Sequence, residues 1–257
     1  MARNPMLNEK AFRSVDQLDV PVQEGETLVR AGGHAMAEVM TLQGTINKTF
    51  ALLFLCVLGG MISWANPSLL AGALWIIVFL VATVLGFVTA FKPTVAKFTA
   101  PIYAFAEGLL LGMISAAYNV EFHGVVFQAV AITMLVFFIM LGIYRFEIIR
   151  VTNTVAKIIT SATLAIAVFY LVSIVLRLFG VNTSYLTAST PLSIGISVVI
   201  CVVAAFNFLL DFDFINRMTS QYTAPKYMEW YAGFGLMVTL IWLYLEILRL
   251  LGKTRSR

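Results

Sequence analysis

The sequence predicts an all-α, polytopic membrane protein with seven transmembrane helices. Of its 257 residues, 60% are hydrophobic and only 12% are charged, whereas soluble chains run at roughly 45–50% and roughly 25%. The mean hydropathy is +0.92. Seven apolar runs each approach the roughly 20 helical residues that cross a hydrocarbon layer of about 30 Å. A water-facing globule does not fit this composition, so the lipid bilayer is the expected partner of most of the surface.

The seven runs divide the chain into three parts. Residues 1–45 mix acids and bases without apolar periodicity, which predicts a flexible cytosolic tail. Residues 46–251 form the predicted transmembrane domain, and residues 252–257 form a short basic tail. No apolar signal segment precedes the first run, so we expect the first span to act as an uncleaved anchor. The predicted spans are Thr49–Ala65, Leu69–Phe91, Phe98–Tyr118, Gly124–Tyr144, Ile158–Leu176, Thr190–Ile215 and Tyr227–Leu251.

The distribution of Lys and Arg predicts the topology. These residues lie before the first span and in the second, fourth and sixth connections, whereas the other connections carry few. Because basic loops stay in the cytoplasm, we expect a cytosolic N-terminus. Seven crossings would then place the basic tail outside, so either its charges do not outweigh the loops or the last run does not fully cross. The bases do not cluster on one face, and the net charge of +4 is therefore no nucleic-acid signal.

Ionisable residues inside the spans are the candidate functional residues, because burying each one in a membrane is costly. Glu107 lies in the third span, Asp211 and Asp213 lie near the end of the sixth, and Glu246 lies in the seventh. Asn207, four residues before Asp211, shares its helix face and is placed to hydrogen-bond it. Asp213 is turned to another face of the same helix.

Two interior acids on the last two spans, Asp211 and Glu246, suggest mutual contact. In a medium of low dielectric constant both cannot ionise comfortably, so they would share a proton. The protonated pair would staple the two helices, and the deprotonated pair would repel and open a path that attracts cations. Other interpretations stay open: Asp211 and Asp213 as helix-end acids at the interface, Glu246 paired with Arg249, and Glu107 either as a pore-lining acid or as a hydrogen-bonded structural residue.

The remaining polar and small residues predict structural roles. Gly108 and Gly112 form a small-xxx-small face typical of helix packing. Glu229 begins the last span and suits the helix dipole. Cys56 and Cys201 lie inside apolar runs and offer no disulfide or metal spacing. Because catalytic and nucleotide-binding motifs are also absent from the sequence, we expect no enzyme activity and no cofactor. The sequence leaves any metal site undetermined.

Four short segments carry a resemblance to a known family. Residues 210–215 read LDFDFI, residues 243–248 read LYLEIL, residues 40–49 read MTLQGTINKT, and residues 103–108 read YAFAEG. In this order and spacing they resemble the Bax inhibitor family, also called transmembrane Bax-inhibitor-motif proteins, in a bacterial branch. The resemblance covers about Met40 to Leu251 and implies a bacterial cytoplasmic (inner) membrane.

The resemblance also implies an architecture and an activity. It implies a seven-helix bundle with the last helix central and a pH-dependent calcium leak, with Asp211 and Glu246 as the sensing acids. The family's basic partner would fall at Lys92, where this chain has Lys instead of Arg. The chain further departs from the pattern by carrying Glu246 instead of Asp, by carrying Asp213 at a position that is commonly an amide, and by a longer connection. That length would add a turn around residues 222–226.

Together with this resemblance, the observations predict a non-enzymatic, pH-sensitive calcium leak channel gated by the proton-sharing pair, with Glu107, Asp213 and Asn207 as possible pore or supporting residues. Calcium would be the permeating ion. The alternative is an interaction protein that modulates a membrane-bound protease complex or a stress or cell-death response through its cytosolic parts. A proton-coupled transporter is a third class, although no symmetric pair of interrupted spans indicates one.

Overall fold

The computed structural model describes residues 39–66, 68, 72–180, 189–220 and 224–256. The predicted tail up to residue 38 and Tyr222 of the predicted extra turn lie outside these residues. The described residues form seven long α-helices, each long and apolar enough to cross a membrane. The predicted all-α, multi-pass fold is therefore confirmed. The helices are α1 (Leu42–Ala65), α2 (Leu74–Phe91), α3 (Ala96–Glu121), α4 (Val125–Arg145), α5 (Asn153–Leu178), α6 (Pro191–Ser220) and α7 (Met228–Arg255).

Most helices extend beyond the spans that hydropathy predicts. α1 begins seven residues earlier than expected, because the Thr41 side chain caps it by accepting from the Gly44 N–H. Thr152 caps α5 in the same way by accepting from the Val155 N–H. Hydropathy marks the apolar part of each helix, whereas backbone hydrogen bonding continues into the polar flanks until a cap or a turn ends it.

Contact between α1 and α3 rests on four glycines: Gly59, Gly60, Gly108 and Gly112. A Cβ atom on Gly108 would lie 2.1 Å from the Cys56 carbonyl oxygen, and one on Gly112 would lie 2.2 Å from the Gly60 carbonyl oxygen. The two backbones therefore approach more closely than any larger residue allows. The predicted packing role of Gly108 and Gly112 is confirmed.

The last helix, α7, packs against α1, α3, α4 and α6. It contributes 15 buried residues, more than any other described helix, whereas α2 and α5 contribute two each. α2 packs mainly on α3, and α5 packs mainly on α6. The outward faces of these two helices expose large apolar side chains, as lipid-facing surfaces do. Side chains on α7 are thus in position to meet groups from most of the bundle.

Hydrogen bonds at both ends of α7 fix its direction. Near its start, Met40 N donates to Ala224 O at 2.8 Å, so α7 begins beside the start of α1. At its finish, Arg255 Nη1 donates to the His123 carbonyl oxygen at 2.7 Å, in the turn between α3 and α4. We call the end where α1 begins proximal and the end where α7 finishes distal. α7 thus runs the full height of the bundle, and the basic residues at its finish lie at the end opposite the basic loops.

Candidate functional site

Asp211 lies in the proximal half of α6 and faces a cavity of about 360 Å³. Its Oδ2 atom is buried and has no hydrogen-bond partner among the described residues. The hydroxyl of Thr239, on α7, interacts with the carboxylate. Gly235 leaves space for the acid, since even a Cβ atom there would be 4.0 Å from Asp211 Oδ1. The cavity is lined by Ala90, Leu210, Asp211, Phe214, Tyr231, Ala232, Phe234 and Gly235.

Glu246 lies in the distal half of α7 and is fully partnered. The Tyr170 hydroxyl, on α5, donates to Oε1 at 2.7 Å. Arg249 Nη1 donates to both carboxylate oxygens at 3.0 Å and to the Tyr170 oxygen at 2.7 Å. Only 2% of Glu246 is exposed. The acid is therefore an internal ion pair that joins α5 to α7, and the interpretation of Glu246 as the partner of Arg249 is confirmed.

The direct contact expected between Asp211 and Glu246 is not formed. Asp211 lies beside Gly235 and Thr239 of α7. Glu246 is on the same face of α7 as Thr239 but at a different height along the helix. Glu246 follows Thr239 by seven residues, which is about 10 Å along a helix at 1.5 Å per residue. The expectation was wrong because Arg249, one turn further along, and Tyr170 already satisfy Glu246. No shared proton joins the two acids in this arrangement.

The predicted supporting residues of α6 have other partners. Asn207 donates to Thr163 Oγ1 on α5 at 2.8 Å and to Val203 O at 2.9 Å, so the bond expected from Asn207 to Asp211 is not formed. Asp213 pairs with Arg217 at 2.7 Å, one turn along α6. The different orientation predicted for Asp213 is thereby confirmed.

Among the described residues, the two candidates outside α6 and α7 form no ion pair with Asp211 or Glu246. Lys92 is exposed just after α2, and within the described part of the chain it forms no ion pair. It follows Ala90, a cavity residue, by two positions. Glu107 is half-buried in α3, where it lies near the Cys56 thiol and the Tyr103 hydroxyl. In the same described part, no group of three or more His, Cys, Asp and Glu side chains is arranged to hold a metal ion.

Sequence reasoning missed two buried ionic residues. Glu229 is 1% exposed, and its carboxylate accepts from the N–H and hydroxyl of Thr41 at 3.0 and 2.9 Å. Glu229 therefore supplies a hydrogen-bond acceptor to the start of α1 in addition to its position at the start of its own helix. Lys253 is 6% exposed and donates to Ser197 Oγ on α6 at 2.8 Å. Lys253 follows Glu246 by seven residues, which places both on one face of α7. That spacing could have indicated from the sequence that Lys253 is buried on the same face as Glu246.

This fold and site define a class: a helical, multi-pass membrane protein with buried acids on its last two spans. Within that class, residues 4–256 match the family model described as Bax inhibitor 1 like, and the chain belongs to that family. The resemblance found in the short segments is thus confirmed over nearly the whole length. No curated protein and no solved structure matches the chain significantly.

Proposed function

We propose that this protein is a pH-sensitive leak for cations, calcium among them, in which Asp211 is the titrating acid. The observation that carries the proposal is the Asp211 side chain: Asp211 lines a cavity, and its Oδ2 atom is buried without a hydrogen-bond partner among the described residues. A carboxylate so placed is costly to keep unless it serves a purpose. The protein would let a cation pass across the membrane and would catalyse no covalent reaction.

Protonation of Asp211 supplies the pH dependence. A neutral acid attracts no cation, whereas the carboxylate concentrates cations in its cavity, so flux rises as pH rises through the titration of Asp211. Tyr231 is the other titratable side chain of the lining, and Lys92 follows the lining residue Ala90 by two positions. Calcium would enter with much of its water shell, since it takes about 6–8 oxygen ligands and few protein oxygens are present.

The distal half of α7 would act as the closed part of the route. Glu246, Arg249 and Lys253 fill it with hydrogen-bonded side chains, and two of the three are cations. Stationary positive charge repels a divalent cation, so passage requires this region to separate. Asp211 thus attracts the ion, while the Glu246 ion pair holds the route shut in the described conformation. Asp211 and the Glu246 ion pair would thus act separately, without the direct contact between the two acids that the sequence suggested.

The basic loops give the bundle an orientation in the membrane. The proximal end carries the basic loops and would face the cytosol of a bacterium, with the bundle in the cytoplasmic membrane. The Asp211 cavity would then be the cytosolic vestibule, because its lining comes from the proximal parts of α2, α6 and α7. Calcium would cross between the cytosol and the distal side.

The test is calcium flux into dye-loaded proteoliposomes at several pH values. The parent, Asp211→Asn and the matched control Asp213→Asn are compared, because the two acids are neighbours on α6 and only one faces the cavity. We expect the parent and Asp213→Asn to show flux that rises with pH, and Asp211→Asn to lose that dependence. A parental pH profile in Asp211→Asn would contradict the proposal. Absence of flux at every pH from folded protein would favour the interaction-protein alternative, and a search for a membrane protease partner would follow.

A further inference from the structure

The Asp211 cavity, we propose, binds a small organic ammonium group. Asp211 contributes an acid to the lining, which also includes three aromatic residues, Phe214, Tyr231 and Phe234. A single negative charge among aromatic rings is the composition that recognises alkylated ammonium ions, because ring faces attract a cation without donating or accepting a hydrogen bond. The remaining lining residues, Ala90, Leu210, Ala232 and Gly235, are small or apolar and suit the alkyl groups of such a ligand.

The lining is a poorer match for a dehydrated metal ion. Calcium takes about 6–8 oxygen ligands and magnesium about six, but the side chains of the lining offer only the Asp211 carboxylate and the Tyr231 hydroxyl. An ammonium group needs one counter-charge and apolar or aromatic surroundings, and both are present. The volume of about 360 Å³ falls in the lower part of the range of about 300–1,000 Å³ for small-molecule pockets.

The aromatic walls are held in place before any ligand arrives. The Tyr231 ring packs edge-on against Phe214 with 6.1 Å between ring centroids, and its hydroxyl reaches the Ala90 carbonyl oxygen at 3.5 Å. Phe234 packs edge-on against Tyr103 with 5.1 Å between centroids. Because these rings are already fixed, little side-chain entropy is lost on binding.

The binding experiment needs no flux and uses the full chain, purified in detergent. Choline is titrated by calorimetry against its neutral isostere 3,3-dimethyl-1-butanol, in which carbon replaces the charged nitrogen. We expect choline to bind at least about tenfold more tightly than the isostere. Asp211→Asn should lose that preference and Asp213→Asn should keep it. Equal binding of the two compounds by the parent, or an unchanged preference in Asp211→Asn, would overturn the inference.

A second pair of variants tests the rings without touching the acid, in case Asp211→Asn folds poorly. Tyr231→Leu removes the ring, whereas Tyr231→Phe keeps it and removes only the hydroxyl. We expect choline affinity to fall several-fold in Tyr231→Leu and to stay within about twofold of the parent in Tyr231→Phe. Similar affinities in the parent and Tyr231→Leu would show that the aromatic wall does not recognise the ligand.

Free amines and the ammonium headgroups of lipids share this chemistry. The titration is therefore repeated in nanodiscs made of phosphatidylglycerol alone and in nanodiscs that also contain phosphatidylethanolamine. Weaker choline binding only in the second set assigns the site to a lipid headgroup, and equal binding in both assigns it to a soluble amine. Binding without calcium flux would keep this inference and overturn the proposed function; flux with no binding of either ligand form would do the reverse.

Discussion

Asp211 packs beside one face of α7, and Glu246 belongs to that face about two helical turns further along, yet the surroundings of the two acids are opposite. Glu246 is fully partnered by Arg249 and Tyr170 in a packed region. Asp211 has a buried oxygen without a partner among the described residues and faces a cavity. An acid that is satisfied holds the structure together, whereas an acid that is unsatisfied costs stability and is available to a ligand or an ion. Substitution of Glu246 by an apolar residue should therefore lower the free energy of unfolding, whereas the same substitution of Asp211 should raise it.

The largest effect is expected from Glu246→Leu. The substitution leaves Arg249 without its carboxylate and removes the acceptor of Tyr170, so the free energy of unfolding should fall by about 3 kcal/mol. This value is at the low end of the range for broken buried pairs, because 37% of the Arg249 side chain is exposed. Thermal unfolding in detergent measures the change.

The double variant Glu246→Leu/Arg249→Leu is the control for that experiment, because it removes both charges. It should recover most of the lost stability, since an apolar pair replaces the ion pair without leaving a buried charge. If the double variant is as unstable as the single one, the ion pair is not the source of the loss.

Two glycines of α7 differ in how closely their surroundings are packed. A Cβ atom on Gly252, in the distal half, would lie 2.8 Å from Tyr118 Cε1. Gly252→Ala should therefore lower the free energy of unfolding by about 1–2 kcal/mol through overpacking. Gly235→Ala, beside the cavity, should leave it unchanged or raise it by up to about 1 kcal/mol, because alanine favours a helix. Equal unfolding temperatures for the two variants would contradict the inference that α7 is packed more tightly at Gly252 than at Gly235.

Asp211→Leu should act in the opposite sense to Glu246→Leu, and Asp213→Asn should have the smallest effect. Removing an unsatisfied buried carboxylate oxygen and filling part of the cavity should raise the free energy of unfolding by about 1 kcal/mol. Asp213→Asn, which breaks only a partly exposed pair with Arg217, should lower it by no more than about 0.5 kcal/mol. Destabilisation in Asp211→Leu, measured by the same thermal unfolding, would mean that the acid is a structural residue like Glu246.

The sequence predicts the membrane fold well and the site only in part. Seven spans follow from hydropathy because lipid exposure requires long apolar helices, and Asp211 and Glu246 stand out because acids inside such helices are rare. Their partners could not be predicted, because they depend on helix rotation and height. Tyr170 lies 76 residues before Glu246, and Asn207 bonds to Thr163 rather than to its neighbour one turn away. Only Arg249, in the same helix as Glu246, was visible from spacing.

The bond between Glu229 and Thr41 joins residues 188 positions apart, near the start of α7 and the start of α1. A ribosome therefore completes six helices before the acid that closes the first one is made. Until then, the N–H and hydroxyl of Thr41 lack their carboxylate. Gly44 belongs to the same contact, because a Cβ atom there would lie 2.0 Å from Glu229 Oε1. During synthesis, the start of α1 therefore gains this carboxylate only when α7 has been made, so α7 is the element that completes the hydrogen bonding of the first helix.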